Sequence, residues 1–163
     1  MKVLGLDVST KSTGWFITKP SCGIIAPDPS LSFEGKLVYF RVELGKLLDK
    51  YKPDVVVIED AYYRSGFGSI HTLKALVKFA GVAQELCASK GIQTEIITAT
   101  AARKHCCGAQ EGPFKKKEVF NFFKTKYNLD DWTFQKYNDV TDAMALSWGY
   151  RELQKTKKRS DKK

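Results

Sequence analysis

Asp54–Glu59 reads DVVVIE. An unbroken β-branched run of this length, entered from Pro53 and left through a polar loop, suits a central strand covered on both faces. Upstream lies an amphipathic helix with Phe40, Leu44, Leu47 and Leu48 on one side, and it ends before Pro53. Downstream, a loop rich in glycine and aromatics runs from Asp60 to Ser69. It leads into a helix over Ile70–Ser89, with Leu73, Leu76, Val77, Ala80 and Ala83 at helical spacing, stopped by Gly91. Ile92–Thr98 reads as a strand, Ala99–Cys107 as a short helix ending at Gly108, and Pro113–Tyr127 as a helix opened by proline. A last helix covers Asn138–Leu153.

Toward the other end, Lys2–Val8 (KVLGLDV) reads as a second buried strand. The polar turn Ser9–Ser12 and a short strand Gly14–Thr18 follow it. Pro20–Pro29 carries three prolines and reads as a loop or an edge strand, with a third strand assigned to Leu31–Lys36. The order is β-β-β-α-β-α-β-α-α. Three leading strands form a meander, and helical crossovers bring in the later ones. The expected architecture is α/β, a mixed five-stranded sheet with helices on both faces. No internal repeat or linker divides it. One domain is expected over residues 1–153, with a basic tail over 154–163.

The chain of 163 residues carries 27 Lys and Arg against 18 Asp and Glu, a net charge of +9. Such an excess points to a polyanionic partner. From Arg151 onward seven basic residues face two acidic ones, more than half of that excess. The body is basic without it. Cys22, Cys87, Cys106 and Cys107 form no disulfide framework and no Cys-x-x-Cys zinc pair. Reduced thiols and the lack of a signal-peptide pattern in the opening residues lead us to expect an intracellular, reducing compartment: cytoplasm or nucleoid. No apolar run approaches the roughly 20 residues that span a bilayer, so no membrane partner is expected.

Acids stand where acids are otherwise awkward. Asp7 ends an apolar strand and Glu59 ends DVVVIE. Asp139 and Asp142 stand three apart on the final helix, and so project from one face. Singly, each has a structural explanation: an Asx turn, a strand surfacing, an N-cap and a first-turn acid. Jointly, in a basic protein, they describe carboxylates that repel unless a cation holds them. Oxygen donors without histidine or cysteine suit Mg²⁺, with Mn²⁺ able to substitute, and suggest two ions per site. Two ions would stabilise the attacking and leaving oxygens of an in-line phosphodiester displacement, leaving 5′-phosphate and 3′-hydroxyl ends. No organic cofactor site is indicated. His71 and His105 lack metal-like spacing, and Trp15, Trp132 and Trp148 are expected to pack in or against the core.

GLDVSTKSTGW (Gly5–Trp15), VVVIEDAYY (Val55–Tyr63) and DVTDAMAL (Asp139–Leu146) resemble, in order and spacing, the three motif regions of RuvC-type Holliday junction resolvases. The resemblance extends over roughly Lys2–Tyr150. It implies a ribonuclease-H-like fold, a homodimer and paired nicks across branched double-stranded DNA. By motif position, Asp7, Glu59, Asp139 and Asp142 match the family's catalytic and metal-binding carboxylates. Tyr62 holds the place of an aromatic that engages the junction centre. One departure is Val8-Ser9, where the family often has Pro-Gly after the first aspartate. Small size and this divergence suit a viral or phage member, acting in a host cytoplasm.

Candidate DNA contacts fall in two regions. Tyr62, Tyr63, Arg64 and Phe67 sit between small residues on the loop after Glu59, suited to stacking on unpaired bases. Arg103, Lys104, Lys115, Lys116 and Lys117 cluster near helix ends, where phosphate is attracted, in a region that resembles the family's segment of essential basic residues. Three other readings share parts of this pattern. The Gly-x-Asp-x-Ser/Thr-x-x-Thr-Gly stretch resembles the phosphate loop of sugar kinases and actin-like ATPases, which need two domains. A nuclease acting on RNA or RNA–DNA hybrid shares the metal site entirely. A non-catalytic branched-DNA-binding module gains nothing from four acids facing phosphates.

Overall fold

The computed structural model describes residues 1–61, 69–107 and 115–160. Five strands form one mixed sheet. In chain order they are β1 (Val3–Asp7), β2 (Thr13–Thr18), β3 (Ser21–Ile25), β4 (Val55–Glu59) and β5 (Gln93–Ile97). Their spatial order is β3-β2-β1-β4-β5. β1 runs antiparallel to β2 and parallel to β4, and β4 runs parallel to β5. The helices are α1 (Phe33–Tyr51), α2 (Ile70–Ser89), α3 (Ala99–Cys106), α4 (Lys116–Tyr127) and α5 (Phe134–Ser160).

The two-residue period of the central strands sorts the core into two layers. Leu4, Leu6, Val56 and Ile58 face one way, into a cluster with Phe40, Leu44, Leu48, Phe79 and Ala83 from α1 and α2. Val3, Val55 and Val57 face the other way, against Val119, Phe123, Ala143, Met144 and Leu146 from α4 and α5. Asp7 and Glu59 continue that second row by the same alternation, so both acids belong to the α5 side of the sheet. Because β1 and β4 are parallel and Leu6 lies opposite Ile58, the two acids end at the same edge.

α5 comes unusually close to the sheet. A β-carbon on Gly5 would stand 2.1 Å from the carbonyl oxygen of Ala143, and one on Gly14 would stand 2.1 Å from that of Asp139. Hydrogen in place of a side chain at both positions lets the helix backbone lie directly on β1 and β2. Ser147 Oγ then donates to the Val3 carbonyl at 3.1 Å, satisfying a buried hydroxyl across the same contact. The line Asp139–Ala143–Ser147 is therefore the stripe by which α5 touches the sheet.

Local signals account for most helix ends. Ser32, Ser69 and Thr98 cap α1, α2 and α3 with their hydroxyls. Lys52 closes α1 in the left-handed region just before Pro53, and Gly91 takes a φ of +68° after α2.

Three assignments from sequence are corrected. The third strand lies at Ser21–Ile25, inside the proline-bounded stretch, and Leu31–Lys36 instead leads into α1. Ser32 caps that helix, and an edge position tolerates the flanking Pro20 and Pro27. The final helix starts a turn earlier than Asn138 and continues past Leu153 to Ser160, into the stretch expected as a basic tail. The helix assigned from Pro113 begins at Lys116, with Pro113 itself outside the described residues. All three tryptophans pack against the core as expected.

Gly5→Ala and Gly14→Ala should each destabilise the protein by about 3 kcal/mol or more, the upper range for overpacking against backbone that cannot yield. Gly81→Ala in α2, where an added methyl meets nothing within 4 Å, should instead stabilise by up to ~1 kcal/mol. Urea unfolding midpoints distinguish the two cases. Equal changes at all three positions would refute the close-packing account.

Candidate active site

Four acids reach one end of the sheet from three elements: Asp7 from β1, Glu59 from β4, and Asp139 and Asp142 from α5. Asp139 and Asp142 lie in the second and third turns of α5, whose first turn holds no acid, so they are not capping residues. Asp7, Glu59, Asp139 and Lys116 line a cleft of about 280 Å³, walled on its far side by Thr72, Leu76 and Ala80 of α2. A hollow of about 320 Å³ at the opposite end of β4 holds the Asp49–Lys90 ion pair and no convergent acids. The convergent acids line the first.

The acids divide into two electrostatic situations. Burial raises the Asp7 carboxyl well above its ordinary value of 3.8, reinforced by the charges of Asp142 and Glu59 and, after partial relief from Lys116, of Asp139. Burial likewise raises Glu59 from 4.5, with Asp142 adding to it and Arg103, Lys116 and the neighbouring Asp7 opposing. Both shifts disfavour the charged forms while the cluster lacks a further positive charge.

Asp142 is deeper, with its side chain 4% exposed, and is held by two cations. Arg103 Nη2 donates to Oδ1 at 3.4 Å, and Lys116 Nζ stands 2.5 Å from Oδ2. Oδ2 is fully buried, and the ammonium of Lys116 is the charge set against it. Asp139 accepts a short hydrogen bond from Ser12 Oγ, which ties the loop after β1 to α5. Thr13 Oγ1 in turn bonds Ser9 through both its amide and its carbonyl, closing that loop.

The basic residues named from sequence separate here. Arg103 turns inward, with its side chain only 18% exposed. Lys116 lies at the cleft, while Lys104, Lys115 and Lys117 are exposed. The Glu118 side chain folds back to accept from the Lys115 amide at 2.7 Å, so the protein's own carboxylate already occupies part of the start of α4. Tyr62, Tyr63, Arg64 and Phe67 lie outside the described residues. Sequence reasoning missed Ser12 and the α2 wall. The α2 wall has no local signature, whereas Ser12 carries a hydroxyl within the Gly5–Trp15 motif, in the loop after the strand that ends in Asp7.

The donor set is all oxygen and suits a hard divalent cation. Among the described residues no three acids stand close enough to enclose an ion as they are. Lys116 lies among them instead, and burial opposes its charge. Asp142, Asp7 and Glu59 nevertheless hold its pKa above the ordinary value. A cluster that draws a half-buried ammonium inward has the potential to draw a metal ion.

No family model matches the sequence. Over nine-tenths of its length the chain resembles crossover junction endodeoxyribonucleases named RuvC. That of Lawsonia intracellularis is 27% identical over 156 residues, covering 90% of this chain and 88% of the relative. That of Thermomicrobium roseum is 25% identical over 157 residues, covering 92% of each. Among solved structures, Thermus thermophilus RuvC in complex with a Holliday junction substrate superposes with a TM-score of 0.80 at 13% identity, over 96% of both chains. Ydc2, the yeast mitochondrial Holliday junction resolvase, gives 0.70 at 14% identity over 97% of this chain and 80% of its own. The fold is ribonuclease-H-like, as the sequence resemblance implied. No helix among the described residues is long and apolar enough to cross a membrane.

In metal-free protein the same carboxylate-to-amide change should have opposite signs at two positions. Below the ordinary values near 3.8 and 4.5, Asp7 and Glu59 are protonated whether the chain is folded or not, and they cost nothing. As pH rises from there through their raised folded values, the unfolded chain gives up its protons first, and stability is lost. Asp7→Asn should therefore stabilise by on the order of 1 kcal/mol or more at pH 7.5 and by nothing near pH 3.5. Asp142→Asn leaves two cations facing a neutral amide and should destabilise by ~2 kcal/mol. Chemical denaturation at both pH values decides this, and the same sign for both variants would contradict it.

Proposed function

We propose that this chain is a metal-dependent endonuclease that nicks four-way and related branched DNA in pairs, leaving 5′-phosphate and 3′-hydroxyl ends. The observation that carries the reading is the convergence of Asp7, Glu59, Asp139 and Asp142 at one sheet edge, a set of carboxylate oxygens beside a cleft on a basic protein. The named relatives supply the substrate class.

Asp7, Glu59 and Asp139 present carboxyl oxygens to the cleft and would hold the cation, with Asp142 behind them. We take that cation to be Mg²⁺, replaceable by Mn²⁺, with two ions per site. Bound there, it supplies Lewis-acid stabilisation of the charge that builds on the phosphate oxygens. The protein's own groups prepare the site. Burial makes charge on Asp7 and Glu59 costly until a counter-charge arrives, Ser12 holds Asp139, and Arg103 holds Asp142. Leu76 and Ala80 keep one wall apolar, which lowers the local dielectric and strengthens each charge interaction in the cleft.

Paired nicks in a two-fold substrate require two sites on one symmetric particle, so we propose a homodimer. The outer faces of α1 and α2 suit the contact, with Val38 63%, Val42 49%, Ile70 55% and Val77 53% exposed. The cationic partner surface comprises Lys104, Lys115 and Lys117, with Tyr62, Tyr63, Arg64 and Phe67 proposed for the junction centre.

Labelled four-way junctions, matched linear duplex and RNA–DNA hybrid, each with Mg²⁺ or Mn²⁺, test the proposal. Paired nicks should appear in the junction alone. Glu59→Gln should cut at least roughly a hundredfold more slowly, as when one electrostatic stabiliser is lost, while junction binding persists. Cutting of the hybrid alone would move the assignment to a ribonuclease, and tight binding without cutting would leave a binding module.

A further inference from the structure

We propose that Lys116 is an internal counter-ion that keeps the place of the divalent cation in the metal-free protein and gives way when the cation binds. The inference rests on the metal-dependent reading above and adds to it a built-in competitor.

Lys116 opens α4, and its side chain reaches back across the mouth of the cleft. Its ammonium stands 2.5 Å from the buried Asp142 Oδ2, for which the described residues show no other partner. It shares the cleft with Asp7, Glu59 and Asp139. It therefore occupies a position from which a positive charge acts on Asp142, Asp7 and Glu59 together. The two cations on Asp142 are not equivalent. Arg103 is 18% exposed and comes from α3, which lies hard against α5, where a β-carbon on Gly149 would meet the Ala102 carbonyl oxygen at 2.6 Å. The side chain of Lys116 is 46% exposed, on the first turn of its helix, with a long stem free to swing outward. Arg103 is thus the fixed support of Asp142, and Lys116 is the movable one.

Two cations cannot share this space without strong repulsion, because at separations of a few ångströms like charges oppose each other even when partly screened. Lys116 must leave for the acids to gather round an ion. Its departure frees Asp142 Oδ2 and removes an ammonium from the lining of the cleft. This accounts for why no three acids among the described residues enclose an ion as they stand, although their chemistry suits one. The competition also protects the metal-free fold, since Lys116 partly neutralises a cluster that would otherwise repel itself.

Calorimetric titration of Mg²⁺ and Mn²⁺ into metal-free protein tests the inference without any cleavage assay. Lys116→Met should bind the ions roughly tenfold more tightly or better than wild type, the direction expected when a nearby like charge is removed. Lys116→Arg should remain weak, and Lys117→Met should match wild type. In the unmutated protein, acylation of lysine amines read by mass spectrometry should show Lys116 shielded without metal and more reactive with Mg²⁺, with Lys117 unchanged. Unchanged or weaker ion binding in Lys116→Met, or Lys116 reactivity indifferent to the metal, would overturn the inference while leaving the endonuclease reading intact. Absence of ion binding in every form, with Glu59→Gln no different from wild type, would instead remove the metal-dependent reading and this inference with it.

Discussion

The contact between the α5 backbone and the sheet at Gly5 and Gly14 sets everything else in the site. Strand ends alone would place Asp7 and Glu59 side by side with nothing opposite them. A helix packed at ordinary side-chain distance, roughly 10 Å from the sheet axis, would hold its acids too far away to interact strongly. Because two positions lack side chains, α5 lies directly on β1 and β2, and the Asp139–Ala143–Ser147 stripe registers it along the strands. Asp139 then meets Ser12 and Asp142 sinks behind the cleft. The same contact belongs to the hydrophobic core, so site geometry and fold stability are not separable here.

That coupling has an energetic consequence. The cluster is assembled from groups that are unfavourable together: two carboxyls raised by burial and mutual repulsion, and a third that stays buried only because Arg103 and Lys116 hold it. Packing on the α5 face, with Val55, Val57, Phe123, Met144 and Leu146 fully or almost fully buried, offsets the strain. An arrangement of this kind stores a preference for positive charge. Whatever cation enters is favoured by the release of repulsion as much as by direct attraction, which is a physical basis for selective loading by a small divalent ion.

Much of this was legible before any coordinates. Period-two alternation through Val3-Gly5-Asp7 and Val55-Val57-Glu59 put both acids on one face, and an i,i+3 pair on a helix is a reliable statement of a shared side. The parts that were not legible depend on tertiary context. β3 is a short edge strand whose five residues carry little pattern of their own. LSFEGK alternates like a strand, although Ser32 and Glu34 are a helix cap and a first-turn acid. The early start of α5 is fixed by aromatic contacts, Phe134 edge-on to Phe120 and Tyr137 stacked on Trp132 at 4.3 Å, which local periodicity does not record. Its late end is a polar run of good helix formers with no apolar face to announce it. Individual lysines could not be placed from sequence, because the partner of Lys116 lies on another helix.

The charge pattern also explains why one basic segment contains residues of opposite use. Net charge of +9 suggests a uniformly cationic surface, yet Arg103 and Lys116 point inward to acids while Lys104, Lys115 and Lys117 point to solvent. Helical geometry produces the split: neighbours in sequence are about 100° apart around the axis, so adjacent basic residues must diverge. The inward member of each group compensates buried anions, and the outward members remain free for a polyanion. A basic run beside an acidic site therefore serves two electrostatic tasks at once. The exposed lysines attract the same class of ligand that the unneutralised acids would repel. On the proposed metal-dependent reading, a cation settled among the carboxylates would favour binding of that ligand close to the cleft, and by linkage the ligand would favour the cation.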